Sequence, residues 1–470
     1  MFFKVQKILS KMSVNFLSVL NESNSITNEE TGEITITAPI LETTNSFLIE
    51  TECKITSNCQ TKIKCVYFEI IASSVTLNNL IFETTFLAQE TEKLSITNCE
   101  FIEAKSGLGA LTISFCADVT LSHIDITNSA KMPGLYICQY SSAKADNLHI
   151  HDIPYTLLAL DGASKLILKD SEFRNSKNNG IHVSDQCNVD IQNCEISDTV
   201  YPAISINDSQ CIIKNNTVRN VGQNSISIFS SENFIVSNNS VENGGATAIS
   251  TEKSEGLIEN NLIQKVHGNG IHVSNNANVK IIDNEINDAD YPGIAVVSNA
   301  TAHVERCKIN NIKINGICSR GAKDVKIIES EIIGVEECGV SISDTKHLLI
   351  SNSRIENCKI MAIESYNNSQ VFVSKNIIKN IGKYVFLSYT HGFISAEENK
   401  IEDVKNAMVK LVHKGGGSFV NNNVVNCPCQ CECQTSSPYF FKGNGNFEAI
   451  TNDPEKVEGD VKLAQNYVQS

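Results

Sequence analysis

The sequence has no tryptophan, and only eight prolines and five methionines among its 470 residues. Its aromatic share is 6%. Sugar-binding clefts commonly stack their ligands on large aromatic faces, so the missing indoles weigh against such a cleft. Arginine is nearly as scarce: Arg174, Arg219, Arg306, Arg320 and Arg354 are the full set, and they read as belonging to different columns of the repeat described below. With a net charge of −15 and a pI of about 5.2, the chain lacks the basic footprint of a nucleic-acid partner. The same balance disfavours polyanionic substrates such as pectate. No apolar run approaches the length needed to span a bilayer, so no membrane partner is expected.

Cysteine is plentiful but unpatterned. Seventeen thiols, an odd number, are scattered without the spacing of a disulfide framework. That usage fits a reducing compartment, and the expected location is cytoplasmic.

What the chain does have is a repeat. Sixteen times between Leu80 and Asn423 it returns to the phrase apolar-x-apolar-x-polar-(Asn/Cys/Ser)-x-apolar, usually every 22 to 24 residues. Val189-Asp190-Ile191-Gln192-Asn193-Cys194-Glu195-Ile196 and Val279-Lys280-Ile281-Ile282-Asp283-Asn284-Glu285-Ile286 are two copies. Nine residues after most sixth positions comes a second short strand signal, such as Gly180-Ile181-His182-Val183 or Gly339-Val340-Ser341-Ile342. Both segments alternate apolar with polar residues, the period of a half-buried strand. A self-similar unit of this length stacks into a solenoid. The expected fold is therefore all-β: one parallel β-helix of about 16 coils, right-handed if it follows the family it resembles below.

In such a coil the sixth position forms a ladder, read as Leu80, Cys99, Ile124, Leu148, Ser171, Cys194, Asn216, Asn239, Asn261, Asn284, Cys307, Ser330, Ser353, Asn376, Asn399 and Asn423. Inward Asn amides can bond to one another and to nearby backbone, while reduced Cys rungs serve as small apolar fillers. Asn179 to Ser184 recurs at Asn269 to Ser274, and Tyr201-Pro202 recurs at Tyr291-Pro292, each 90 residues on. Duplication of a four-coil block explains these echoes.

The organisation expected is an amphipathic cap helix over 1–20, irregular first coils over 21–65, the β-helix over 66–426, and a Cys-rich cap with a tail over 427–470. Val5, Ile8, Leu9, Met12 and Phe16 fall at helical spacing with Lys4, Lys7 and Lys11 on another face. A cap over the open solenoid end, a mitochondrial-type presequence and a secretory signal all compete for that stretch.

The phrase and its period resemble the right-handed parallel β-helix superfamily over about residues 66 to 426. That group holds pectate-lyase-like enzymes, sugar-hydrolase-associated β-helix repeats, and eukaryotic β-helix proteins of the F-box and cytokinesis type. In the pectate-lyase-like members the resemblance implies stacked carboxylates holding Ca²⁺ beside an Arg or Lys that abstracts a proton. No Asn-Thr-Asp, Asp-Asp or Gly-His-Gly signature is present here.

Three places could carry chemistry. The column one past the ladder reads Glu100, Asp125, His149, Glu172, Glu195 in the earlier half, where stacked like charges cost energy unless a cation or a shared proton relieves them. If the protein is an enzyme, Asp125, Glu172 and Glu195, with Arg174 on the same side as Glu172, are its catalytic candidates. Glu172 and Glu195 on adjacent coils would suit the shorter carboxylate separation of a glycosidase. From Glu285 onward the same column alternates as Glu285, Lys308, Glu331, Arg354, Ile377, Lys400, a device for register and solubility. His182 and His272 stand outward on the second strand, with Asp185 and Asp208 near His182. Lastly, Cys427, Cys429, Cys431 and Cys433 would share one face of an extended segment. They could bind structural Zn²⁺ or Cu⁺ if the chain bends, form disulfides, or pack as a cap.

The function expected is a non-catalytic scaffold or adaptor that binds another macromolecule along its side faces, a protein before a carbohydrate, with no cofactor. The alternative is a polysaccharide lyase or glycoside hydrolase using the carboxylate column, with Ca²⁺ if a lyase. Near-uniform spacing leaves little room for groove-walling loops, which favours the scaffold.

Overall fold

The computed structural model describes residues 13–105, 108–130, 132–433, 439–442, 448–450, 457–458 and 462–463, with side chains described for all but 430, 433 and those from 448 on. Its coils build an all-β, parallel, right-handed solenoid of about 17 turns. They fall into two compact units, Met1–Ser231 and Glu232–Ser470.

From Lys165 to Cys433 each coil has three strands where the period suggested two. In the first unit one coil runs Asn188–Gln192, Glu195–Thr199 and Ile204–Asn207. The extra break falls inside the repeated phrase. Asn193, just before the ladder residue, sits at φ 54°, and Asp198 turns the next corner at φ 55°. Asn and Asp tolerate this left-handed conformation because their short polar side chains bond locally. Each strand pairs in parallel with its equivalent one coil away, as Val189 with Leu166 and Cys211. The second unit repeats the plan at Asn278–Ile282, Glu285–Ala289 and Ile294–Val297.

The first unit's parallel ladder begins earlier than the sequence period. Glu33–Ile36, Ile40–Glu42 and Ser46–Ile49 stack on successive stretches of the long strand Cys53–Ile70, inside the region expected to be irregular. The cap helix expected over 1–20 gives way to a different structure where the chain can be followed, residues 1–12 lying outside the described set. Ser13–Asn15 is a strand paired with Ser46 to Leu48, and Phe16–Val19 is one 3₁₀ turn. The Asn15 side chain accepts from Leu17 N at 3.0 Å, which starts that turn. Phe16 then inserts fully buried between Phe47 and Phe68, with ring centroids 5.0 and 5.2 Å away. A continued helix would pull that ring out of the coil it plugs.

Inward Ile, Val and Leu fill both units, and in the first a run of Phe68, Phe82, Phe86 and Phe101 fills the early coils at 4.9–5.4 Å. The ladder forms as expected. In the second unit Asn261 Nδ2 donates to Asn284 Oδ1 at 2.9 Å and to the Val236 and Glu259 carbonyls at 3.0 Å each. Cys99, Cys194 and Cys307 occupy their rungs buried, each thiol donating to the carbonyl two residues before it. The last rung needs correction: Asn422, not Asn423, carries the ladder, because Asn421 takes the left-handed bend and Asn423 opens the following strand on an exposed face.

Candidate functional site

The carboxylate column of the first unit is real. Glu100 pairs with Asp125, Asp125 with His149, His149 with Glu172, and Glu172 with Glu195, all in parallel register. At a strand spacing of about 4.8 Å, uncompensated stacked carboxylates would repel. Basic side chains of a neighbouring column face three of these acids. Asp125 Oδ1 lies 3.5 Å from His151 Nε2, Glu172 Oε1 lies 3.4 Å from Arg174 Nε, and Glu195 Oε1 lies 2.5 Å from Arg219 Nη2. His149 Nδ1 stands 4.0 Å from Glu172 Oε2. His151 also reaches Asp152 at 2.7 Å, and the His151 and Asn175 hydrogen bonds hold that carboxyl below the usual range.

Arg174 sits on the Glu172 side, as the spacing implies. The reading that the arginines occupy different columns does not hold for two of them. Thr127, His151, Arg174, Ser197 and Arg219 stack in register in the column two residues beyond the acids. An acidic column therefore runs beside a partly basic one. This pairing was legible in the sequence, two residues past each acidic rung. The acid, histidine and arginine side chains of these pairs are at least one-fifth exposed, and Glu172 is 37% exposed, so each pair has at most the modest worth of a solvated ion pair.

The expected charge alternation of the second unit is also in register, from Glu285 through Lys308 and Glu331 to Arg354. Its ion pairs run along the strand instead of across it. Arg354 binds Glu356 at 2.8 Å and Lys400 binds Glu402 at 2.7 Å, both within one strand.

His182 lies between two acids, Asp161 and Asp185, with Ser205 Oγ 3.3 Å from its Nδ1. Burial pulls its pKa below the ordinary value, against the pull of those carboxylates. Asp161 itself accepts from the Tyr136 hydroxyl at 2.5 Å, and burial raises its pKa. Ala159 separates Tyr136 from His182 in the strand register. His272 is also depressed by burial.

At the Cys-rich end, Cys429–Cys433 continues the parallel stack on Ala407–Leu411. The Cys427 and Cys429 thiols donate to the Cys429 and Cys431 carbonyls at 3.0 and 3.4 Å. Cys431 is in a disulfide and therefore offers no thiolate, so the four-thiolate Zn²⁺ set does not fit. The Cys433 side chain lies outside the described residues. Nor do Asp125, Glu172 and Glu195 suit a Ca²⁺ cage, since each faces a basic side chain within 3.5 Å, an arginine in the case of both glutamates. Among the described residues, no group of three or more His, Cys, Asp or Glu is placed to hold a metal ion.

Two hollows in the first unit lie away from the acidic column. One of about 270 Å³ is lined by Glu90, Thr91, Glu92, Phe115 and Ala117. Another of about 540 Å³ is formed by residues including Leu17, Ile26 and Ile34. No helix among the described residues is long and apolar enough to cross a membrane.

Several solved structures are similar in fold. The Agl-KA catalytic domain is 12% identical over 65% of this chain and 62% of its own, with a TM-score of 0.39. The A-module of the Azotobacter vinelandii mannuronan C-5 epimerase is 10% identical over 70% of this chain and 90% of its own, with a TM-score of 0.38. A double mutant of the periplasmic alginate epimerase AlgG is 10% identical over 91% of this chain and 84% of its own, with a TM-score of 0.34. No curated protein matches the sequence. Residues 68–210, 191–328, 247–401 and 298–445 each match the family described as the right-handed beta helix region. With coils, ladder and register in place over that span, the chain belongs to the right-handed β-helix family.

Proposed function

We propose that the protein is a non-catalytic β-helix that binds another macromolecule along a side face and works in the cytoplasm. The observation that carries this reading is the basic side chain beside three carboxylates of the acidic column. Asp125, Glu172 and Glu195 each face His151, Arg174 or Arg219 on open surface. A retaining glycosidase needs one carboxyl free as nucleophile and a second kept protonated as acid. A lyase needs its carboxylates turned toward Ca²⁺. Here those oxygens are engaged by side chains of the neighbouring column.

A solenoid also offers what a scaffold needs. Its strands are fixed by neighbours above and below, so outward side chains are held in a rigid lattice. The buried free thiols among the described residues, such as Cys99, Cys194 and Cys307, support the cytoplasmic placement.

The test combines a turnover screen with a binding screen on the full chain. Plant, algal and fungal polysaccharides are incubated with the protein, with and without Ca²⁺, and new reducing ends and unsaturated products are measured. None are expected. Turnover that disappears in Glu172→Gln would overturn the reading.

A further inference from the structure

The third-strand face of the second unit carries an acid unlike those of the ladder. The outward column there runs Ala295, Cys318, Ser341, Glu364, Leu387, Lys410 and Glu432 in parallel register. Glu364 is half-buried and accepts from Ser341 Oγ at 2.9 Å. Tyr389, one coil on and next to the Ser388–Ser365 pair, places its ring beside this carboxylate, close enough for the two to interact. Tyr389 in turn stacks on Tyr366, with ring centroids 4.9 Å apart and planes 5° from parallel. Both rings are partly exposed.

Among the described residues, no cation lies within ion-pair distance of Glu364. Arg320 stands two coils earlier in the adjacent column, in register with Ser343 and then Tyr366, and forms no ion pair with it. Lys410, two rungs later, is engaged by Glu432 at 3.3 Å and by the Tyr384 hydroxyl at 3.0 Å. The contrast with Glu172 and Glu195 is direct, since each of those acids has an arginine beside it. A part-buried carboxylate next to two aromatic faces favours a cation from outside. The carboxylate supplies the charge, and the rings supply the attraction of their electron-rich faces.

We propose that Glu364, Tyr366 and Tyr389 form a docking site for a basic protein segment, with a Lys or Arg side chain lying along the tyrosine pair and its charge against Glu364. Charge complementarity supports the choice of occupant, because the chain carries a net charge of −15. The neighbouring arrangement shows the mode within the protein itself: Lys410 Nζ lies 4.8 Å from the Tyr384 ring centroid beside Glu432. The inference rests on the binding function proposed above and assigns its partner class.

The experiment titrates a nona-arginine peptide into the full chain by calorimetry, with a neutral glucan hexasaccharide in a parallel arm. Glu364→Gln keeps the hydrogen-bond acceptor but removes the charge, and about five- to tenfold weaker peptide binding is expected. Tyr366→Leu should weaken binding about threefold. Glu255→Gln, at an exposed position in the same unit, controls for net charge and should stay within about twofold. Circular dichroism and melting temperature confirm that each variant is folded. Equal weakening by Glu364→Gln and Glu255→Gln would mean diffuse attraction and would overturn the site. Hexasaccharide binding lost in Tyr366→Leu, with no peptide binding, would overturn the partner class while leaving a binding function. Binding of neither probe, together with turnover in the polysaccharide screen, would remove the underlying reading as well.

Discussion

Asn399 donates both its side-chain amide, at 2.8 Å, and its backbone N–H, at 3.1 Å, to one oxygen of Asn422 in the next coil. One acceptor thus satisfies two buried donors, while the Asn422 amide donates onward to the Ala396 carbonyl at 3.0 Å. Replacing Asn422 by Ala strands those groups where water does not reach them. Each orphaned buried donor costs about 1–3 kcal/mol, so Asn422→Ala is expected to destabilise by on the order of 2–4 kcal/mol in chemical denaturation. Asn423→Ala, one residue along on an exposed strand, should change the midpoint by less than about 0.5 kcal/mol. Equal effects would mean that the ladder register is wrong.

The ion-paired column predicts the opposite kind of result. Glu195 and Arg219 are 45% and 44% exposed, and their 2.5 Å contact is screened by solvent and salt. Arg219→Met or Glu195→Gln should each cost no more than about 1 kcal/mol, and less still in 1 M salt. A loss of several kcal/mol, unaffected by salt, would show that the column is a buried network and not a solvated face.

Much of this was legible in the residues. Inward Ile and Val at period two, and the Asn, Cys and Ser rungs, set the stacking because every coil must bury the same face. The third strand was hidden because its boundary is one dihedral angle: Asn193 and Asp283 bend the chain within an unbroken polar–apolar alternation. That bend also explains the slip at Asn423, since Asn421, Asn422 and Asn423 are identical in type and only the backbone tells them apart. Glu364 and Tyr389 escaped notice for another reason. Their contact runs diagonally between two columns and two coils, which a column-by-column reading does not see.

Stability should fall on mild acidification. Burial holds His182 and His272 below the ordinary histidine value near 6.5, so the folded chain disfavours their protonation while the unfolded chain accepts it. A depressed folded pKa gives stability that is present above the unfolded value and lost as pH falls through the folded one. Asp161 and Glu69 are raised and act with the opposite sign, favouring the fold below the unfolded carboxylate range and losing that contribution as pH rises through their folded values. Denaturation midpoints should therefore decline from pH 7 toward 5. The decline should be shallower in a His182→Gln, His272→Gln double variant. An identical slope in both proteins would remove the histidines from the account.

Thiol chemistry offers a separate test of the packing. Burial pushes Cys99, Cys194 and Cys358 up to about 12 and Cys307 up to about 11, so these groups are neither ionised nor reachable at neutral pH. Cys59 is exposed, its thiol directed at the Ala38 carbonyl 3.5 Å away. Because the thiolate is the nucleophile, alkylation of the native protein should start at Cys59, with the four buried rungs and core thiols reacting only as the coils open. Mass spectrometry after timed pulses of N-ethylmaleimide reads this order directly. If Cys194 were modified as fast as Cys59 without denaturant, its rung would have to be open to solvent, and the tight stacking of the first unit could not stand.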